Sequence, residues 1–474
     1  MQYIDGSWIE SDNTFVVTNP ATGEEIGRVA DGGAAEAVAA VDAAHGAFPS
    51  WSALTAYQRS DFLAAAWRLM TERSELLAQV MTSEQGKPIK AARNEVKYAA
   101  DFLLWYAEEA KRIYGETIPS ARADQRFVVM REAVGVCAAI TPWNYPVSML
   151  TRKIGPALAA GCTMVLKPAE QTPLCARAMF EIFHEVGLPK GVVNLVNASD
   201  PVPVGDAWLD DPRVRKLTFT GSTEVGKQLG GRAVASVKRV SMELGGHAPF
   251  IVFDDADPVH AAKGASLVKF LNTGQACISP NRIYVQRGVA EEFLETLADR
   301  VSKMRAGSGL TDGVSIGPLV DEPSVAKVER QVNDAVAKGA RLLTGGARLT
   351  EDGLDAGHFF APTVLADVTA DMTIHHEETF GPVAPVIVFD DEDDILDKAN
   401  DTAYGLAAYL YTNDISRSWR IAEGLRFGII GVNDINPTSA AAPFGGVGDS
   451  GLGREGGHVG LDEYLETKLV GWSV

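Results

Sequence analysis

Gly135-Val-Cys-Ala-Ala-Ile140, Thr163-Met-Val-Leu166, Val192-Val-Asn-Leu-Val196 and Lys216-Leu-Thr-Phe-Thr220 are short apolar runs that read as strands. Helical patterns from Pro146 to Ala160 and from Pro173 to Glu185 separate the first three, and another helix starts near Glu224. Repeated β–α–β order predicts a parallel, doubly wound sheet. A second alternating region, from Ala248 to about Val432, reads as another α/β domain of the same type. Upstream lies helical sequence. Ala34 to Phe48, Ala56 to Ser83 and Lys90 to Ile113 repeat apolar residues at three- and four-residue spacing. Gly115-Glu-Thr-Ile-Pro-Ser120 and Arg126-Phe-Val-Val-Met-Arg131 then read as a hairpin.

The chain of 474 residues exceeds one ordinary core, so two large domains are expected. Its 46% hydrophobic and 22% charged content are those of a soluble globular protein. No apolar run has the ~18 residues of a membrane helix, and Met1-Gln-Tyr-Ile-Asp-Gly-Ser-Trp8 lacks the basic-then-apolar order of a signal peptide. A net charge of −19 disfavours nucleic acid as a partner, since phosphate backbones need clustered Lys and Arg. Cys137, Cys162, Cys175 and Cys277 show no spacing suited to zinc or a disulfide framework, so no metal and a reducing cytoplasm are expected.

Chemistry concentrates in three places. Cys277, in Gly274-Gln-Ala-Cys277, is a candidate nucleophile; a thiol needs help, because the thiolate attacks and a free thiol is mostly protonated at neutral pH. Glu243, ending the strand-like Arg239-Val-Ser-Met242 before Gly245-Gly246, is a candidate base. Asn144, in Ile140-Thr-Pro-Trp-Asn144, is a candidate amide donor. Two have a plainer reading alone, a buried inert thiol and a surface carboxylate, whereas Pro146 argues against Asn144 as a plain helix residue. Together they form nucleophile, base and oxyanion donor.

These motifs and four others occur in a characteristic order: Lys167-Pro-Ala-Glu170, Phe219-Thr-Gly-Ser-Thr-Glu224, Glu378-Thr-Phe-Gly-Pro382 and Pro443-Phe-Gly-Gly446. On them the chain is identified as resembling the aldehyde dehydrogenase superfamily over nearly its whole length. The resemblance implies a Rossmann-type coenzyme domain over 1–112 and 133–244 and a catalytic domain over 245–459. It also implies a small β oligomerisation arm over 113–132 and 460–474, and hence a homodimer or homotetramer.

It implies NAD, with NADP possible, as coenzyme. Gly221-Ser222 reads as a turn between strand and helix where backbone N–H groups meet a pyrophosphate. Lys167 and Glu170 follow a strand, at the sheet edge where ligands bind, and the Glu170 carboxylate suits ribose hydroxyls and repels a 2′-phosphate. The resemblance adds Trp143, Asn144, Pro168, Ala169 and Leu244 to the coenzyme contacts, Glu378 to the nicotinamide ribose and Phe380 beside the nicotinamide. Gly451-Leu-Gly-Arg-Glu-Gly456 satisfies G-x-G-x-x-G, but no βαβ unit can follow it; Gly221-Ser-Thr-Glu-Val-Gly-Lys227 mimics a P-loop, but Gln228 stands where Ser or Thr must hold Mg²⁺.

The implied reaction oxidises a small-molecule aldehyde to the acid through a cysteine thiohemiacetal and thioester, with Glu243 activating water. A CoA-acylating reaction would not call for that carboxylate; a non-catalytic binding protein would not need all three residues intact. Thr151-Arg-Lys-Ile-Gly-Pro-Ala-Leu-Ala-Ala160 and 451–456 resemble the succinate-semialdehyde dehydrogenase-like branch, with Arg152 expected to line the access channel and pair with a distal carboxylate. Leu271 departs from that branch, which often carries a second Arg there, leaving room for aliphatic or aromatic aldehydes. The roles of Lys153 and Glu455 stay open.

Overall fold

A computed structural model describes residues 1–474. Two twisted sheets organise it. The first has eight strands in the order Ser7–Ile9, Gln2–Ile4, Val193–Leu195, Thr163–Lys167, Val136–Ile140, Val214–Thr220, Arg239–Glu243, Gly451–Leu452. Its five inner strands pair in parallel, and the pairs at either side are antiparallel. The four apolar runs that decide the fold are thus neighbours in one sheet, with helices Ser148–Ala160, Pro173–Glu185, Val202–Asp210 and Thr223–Ala235 as crossovers. Chain order reverses between Val136–Ile140 and Val214–Thr220, which opens a crevice at the carboxyl ends of those two strands.

The second sheet has seven strands: Arg341–Thr344, Thr363–Ala366, Val383–Phe389, Pro280–Gln286, Ala248–Val252, Ala407–Tyr411 and Ile429–Val432. All pairs but the first are parallel. A third, antiparallel sheet joins Leu465–Ser473, Gln125–Ala133 and Glu116–Ile118. The hairpin is therefore present, and the C-terminal strand completes it. No helix is long and apolar enough to cross a membrane.

Three local readings change. The helix expected from Ala56 to Ser83 is broken into Ala56–Glu72 and Ser74–Gln85, because Arg73 leaves helical geometry at φ −95°, ψ 14°. Its guanidinium pairs with Glu185, a distant partner that no local pattern announces. The helix expected from Pro146 begins at Ser148 instead. Gly451-Leu452, within the span expected for the catalytic domain, is an edge strand of the first sheet, with Gly451 opposite Glu243. That explains the false dinucleotide fingerprint: its first glycine lies in a strand pair rather than a phosphate turn.

Candidate active site

One cavity lies at the crevice. Trp143, Asn144, Gly221, Ser222, Leu244, Cys277, Glu378 and Phe380 line it together. The structure thus brings eight of the expected site residues to one place from five separate segments. Thr220, Gly245, Met149, Thr379, Ser324 and Lys327 also line it and were not expected. Thr220, Gly245 and Thr379 sit inside the motifs, and Met149 lies shortly after one. Ser324 and Lys327 do not; they come from the start of helix Glu322–Ala337, and no sequence signal marks them.

Cys277 is partly exposed and free of any disulfide. Two residues in left-handed geometry precede it, Asn272 at φ 49° and Thr273 at φ 59°; backbone strain of this kind persists where the surroundings impose it, as at functional sites. The loop is fixed on both sides. Thr273 Oγ1 donates to the Gly317 carbonyl at 3.1 Å, and Gln275 Nε2 donates to the Pro318 carbonyl at 3.2 Å. Gly246 must lack a side chain, since a Cβ there would stand 2.2 Å from the Cys277 carbonyl oxygen. Burial, then the charge of Glu243, pushes the Cys277 thiol up to about 12, with Arg152 opposing.

Glu243 ends its strand, paired with Thr220 on one side and Gly451 on the other. It is 4% exposed, and neither carboxylate oxygen has a hydrogen-bond partner. A buried carboxylate without partners is costly for stability, and such groups cluster where chemistry needs them. Burial, then the charge of Glu455, pushes Glu243 well above the usual carboxylate range; Arg152, Lys153 and Arg454 oppose. Gly445, at φ +155°, leaves room for it, because a Cβ there would stand 2.8 Å from Glu243 Oε1.

Asn144 is 4% exposed, and its Nδ2 donates one hydrogen to the Gln275 carbonyl at 3.1 Å. Glu378 Oε1 accepts from Gly246 N at 2.9 Å, and Lys327 faces it closely enough that their charges oppose the effects of burial on each. Phe380 is itself left-handed, at φ 53°, with its ring edge-on to Trp143 at 5.6 Å between centroids. Ser222 caps the helix Thr223–Ala235, accepting from Val225 N, and with Gly221 it lines the cavity, so this helix N-terminus borders the crevice. These residues fit a dinucleotide: a capped helix N-terminus at the switch point, a carboxylate beside a lysine, and an aromatic wall.

Lys167, Pro168, Ala169 and Glu170 lie beyond this cavity, at the end of the adjacent strand. Lys167 Nζ is buried and donates to Glu170 Oε1 at 2.8 Å, while the Glu170 side chain stays 31% exposed.

Arg152 differs most from its expected place. It is 2% exposed rather than standing free in a channel, with Nε 2.9 Å from Glu455 Oε2 and its Cζ 3.9 Å from the Phe444 ring centroid. Its Nη2 has no partner. Lys153 Nζ also meets Glu455, at 2.5 Å, and Thr218 at 3.1 Å. Burial alone would raise Glu455, but Lys153 and Arg152 outweigh it and hold the carboxyl below its usual range.

The profile of the aldehyde dehydrogenase family matches residues 8–470. The succinate-semialdehyde dehydrogenase [NADP(+)] GabD of Escherichia coli is 52% identical, over 98% of this chain and 96% of that enzyme. The glutarate-semialdehyde dehydrogenase of Pseudomonas putida is 51% identical, over 100% of this chain and 97% of that enzyme. Among solved structures, a betaine aldehyde dehydrogenase of Staphylococcus aureus in complex with NAD+ superposes with a TM-score of 0.97 at 38% identity, covering 100% of this chain and 94% of that one.

Proposed function

This chain belongs to the aldehyde dehydrogenase family, and we propose that it oxidises an ω-oxo acid of the semialdehyde type by covalent catalysis at Cys277. The observation that carries the reading is the buried, unpartnered Glu243 carboxylate whose charge reaches the thiol of Cys277. The enzyme uses NAD or NADP.

Cys277 gives its thiol proton to solvent water, its sulfur bonds to the aldehyde carbon, and the carbonyl electron pair moves to the oxygen, which becomes negative. The free N–H of the Asn144 amide and the Cys277 backbone N–H stabilise that oxygen. NAD or NADP, once bound, would supply the two-electron acceptor for the hydride of the former aldehyde carbon, and Cys277 then holds the acyl group as a thioester. Glu243 then takes a proton from water, whose oxygen attacks the thioester; the carbon–sulfur bond breaks and the acid departs. The charge of the Glu243 carboxylate disfavours the Cys277 thiolate, and Glu243 is itself raised by burial and by the charge of Glu455.

The distal carboxylate is assigned to Arg152. Its Nη2 is a buried donor without a partner, and a carboxylate oxygen supplies what it lacks. The expected result is that Arg152→Ala raises KM mainly for succinate and glutarate semialdehydes, and that Leu271→Arg improves kcat/KM for them about tenfold. Initial rates on these substrates against butanal and pentanal check both; equal losses on neutral aldehydes remove the assignment.

Glu170 is assigned to the adenosine ribose. Its partly exposed carboxylate, held by Lys167 at the sheet edge, accepts from the 2′-hydroxyl and repels a 2′-phosphate. Glu170→Ser is expected to raise the NADP-to-NAD ratio of kcat/KM by about tenfold or more, through loss of about 1.4 kcal/mol of discrimination; an unchanged ratio overturns the assignment. The coenzyme domain is assigned to 1–112 and 133–244, the catalytic domain to 245–459 and the arm to 113–132 and 460–474. Exposed Ile118, Met130, Leu469 and Trp472 on the arm sheet support a homo-oligomer. Four free cysteines suit a reducing cytoplasm.

A further inference from the structure

A buried ion pair far upstream in sequence reaches the oxyanion side of the site. Lys87 and Glu95 bond to each other with side chains 1% exposed each. Lys87 Nζ also donates to the Asn144 carbonyl oxygen at 2.6 Å, and it lies 4.1 Å from the Tyr145 ring centroid. Glu95 Oε1 accepts from Val147 N at 3.0 Å and Ser148 N at 3.1 Å, where the helix Ser148–Ala160 starts. The pair therefore grips both ends of the Asn144–Ser148 loop.

The grip extends to the nucleophile side. Asn272 Nδ2 donates to the same Asn144 carbonyl at 2.9 Å, while Asn144 Nδ2 donates to Gln275 O. Lys87 is itself held: its backbone N donates to Gln85 Oε1 at 3.1 Å, and Ile89 N donates to the Gly309 carbonyl at 2.9 Å. Gly86, at φ +90°, lets this turn press against Pro318, whose carbonyl binds Gln275.

We infer that Lys87, oriented by Glu95, is a positioning residue that fixes the Asn144 peptide so that the amide's remaining N–H points at the developing oxyanion. The inference rests on the oxyanion role assigned to Asn144. Burying two charges is not in itself stabilising compared with apolar packing, but it specifies one arrangement. Small misplacement of an oriented donor is costly in rate, about 10²-fold for 1 Å.

A double-mutant cycle read by the rate of the first NADH turnover tests this. Asn144→Ala is expected to slow acylation about 10²–10³-fold, and Lys87→Met about 10- to 100-fold, with KM for NAD changed less than about twofold. In the Asn144→Ala background, Lys87→Met is expected to cost no more than about threefold further. Multiplying effects, or an unslowed Lys87→Met enzyme, overturns the inference while leaving the oxyanion role standing. Wild-type acylation in Asn144→Ala removes that role, and the inference with it. Should Lys87→Met not fold, Glu95→Gln, which sets an amide N–H₂ against the Lys87 ammonium, goes through the same cycle, and multiplying effects or an unslowed enzyme overturns the inference there too.

Discussion

Cys277→Ser is expected to lower kcat for aldehyde oxidation by at least about 10³-fold while NAD binding persists. The site explains why so small a change matters. Even the thiol is held up to about 12 by burial and by Glu243, and a hydroxyl begins from a far higher value. Arg152 opposes that penalty without cancelling it. An oxygen ester would also lose the better leaving group of the thioester at hydrolysis. Steady-state NADH formation measures the first effect, and quenching of tryptophan fluorescence by NAD the second. Turnover within tenfold of wild type would mean that attack by sulfur is not how this enzyme works.

Glu243→Gln is expected to lower steady-state kcat about 10²–10⁴-fold and yet preserve a burst of one NADH per active site. The two halves of the reaction make opposite demands on this carboxylate. Hydrolysis needs it as a base. Acylation does not, and its negative charge raises the thiol, so removing that charge favours the thiolate. The wild-type pH profile follows from the same geometry. Burial and Glu455 raise Glu243, so below its raised value the group is protonated and cannot accept from water; hydrolysis should therefore increase with pH as the carboxylate forms. That ascending limb is expected to disappear in the Gln variant. A profile indifferent to the substitution would assign the base elsewhere.

The parallel, doubly wound character of the sheet was readable because strands, crossovers and turn residues are local patterns, each written within a few residues of the other. The run from Gly135 to Thr220 needs no distant information to be read as β–α–β. Asn144, Glu243 and Cys277 could be proposed from the sequence for a different reason: three complementary groups occur together in ordered motifs, although Cys277 and Glu243 each have a plainer reading alone. Gly246 lies close to the Cys277 carbonyl and Gly445 close to the Glu243 carboxylate, in space that no Cβ would leave.

Pairings across the chain were not readable. Arg152 looks from its motif like a free cation, and only packing shows that Glu455 and Phe444 cover it. Lys87 sits in the turn before helix Ile89–Glu109 and Glu95 within that helix, and their meaning depends on a loop that the fold brings against them. Ser324 and Lys327 reach the cavity from the start of helix Glu322–Ala337, a long-range packing that periodicity cannot express. Arg73, where the helix breaks, pairs with Glu185, a residue far away in sequence on a neighbouring helix.

The most direct test is the intact mass of Glu243→Gln after mixing with NAD and succinate semialdehyde, quenched in acid. Covalent catalysis at Cys277 predicts a mass increase of one succinyl group, located by peptide mapping to the segment containing Cys277 and absent from Cys277→Ser. Unmodified protein alongside stoichiometric NADH would contradict the account, because the oxidation would then have occurred without a bond between enzyme and substrate.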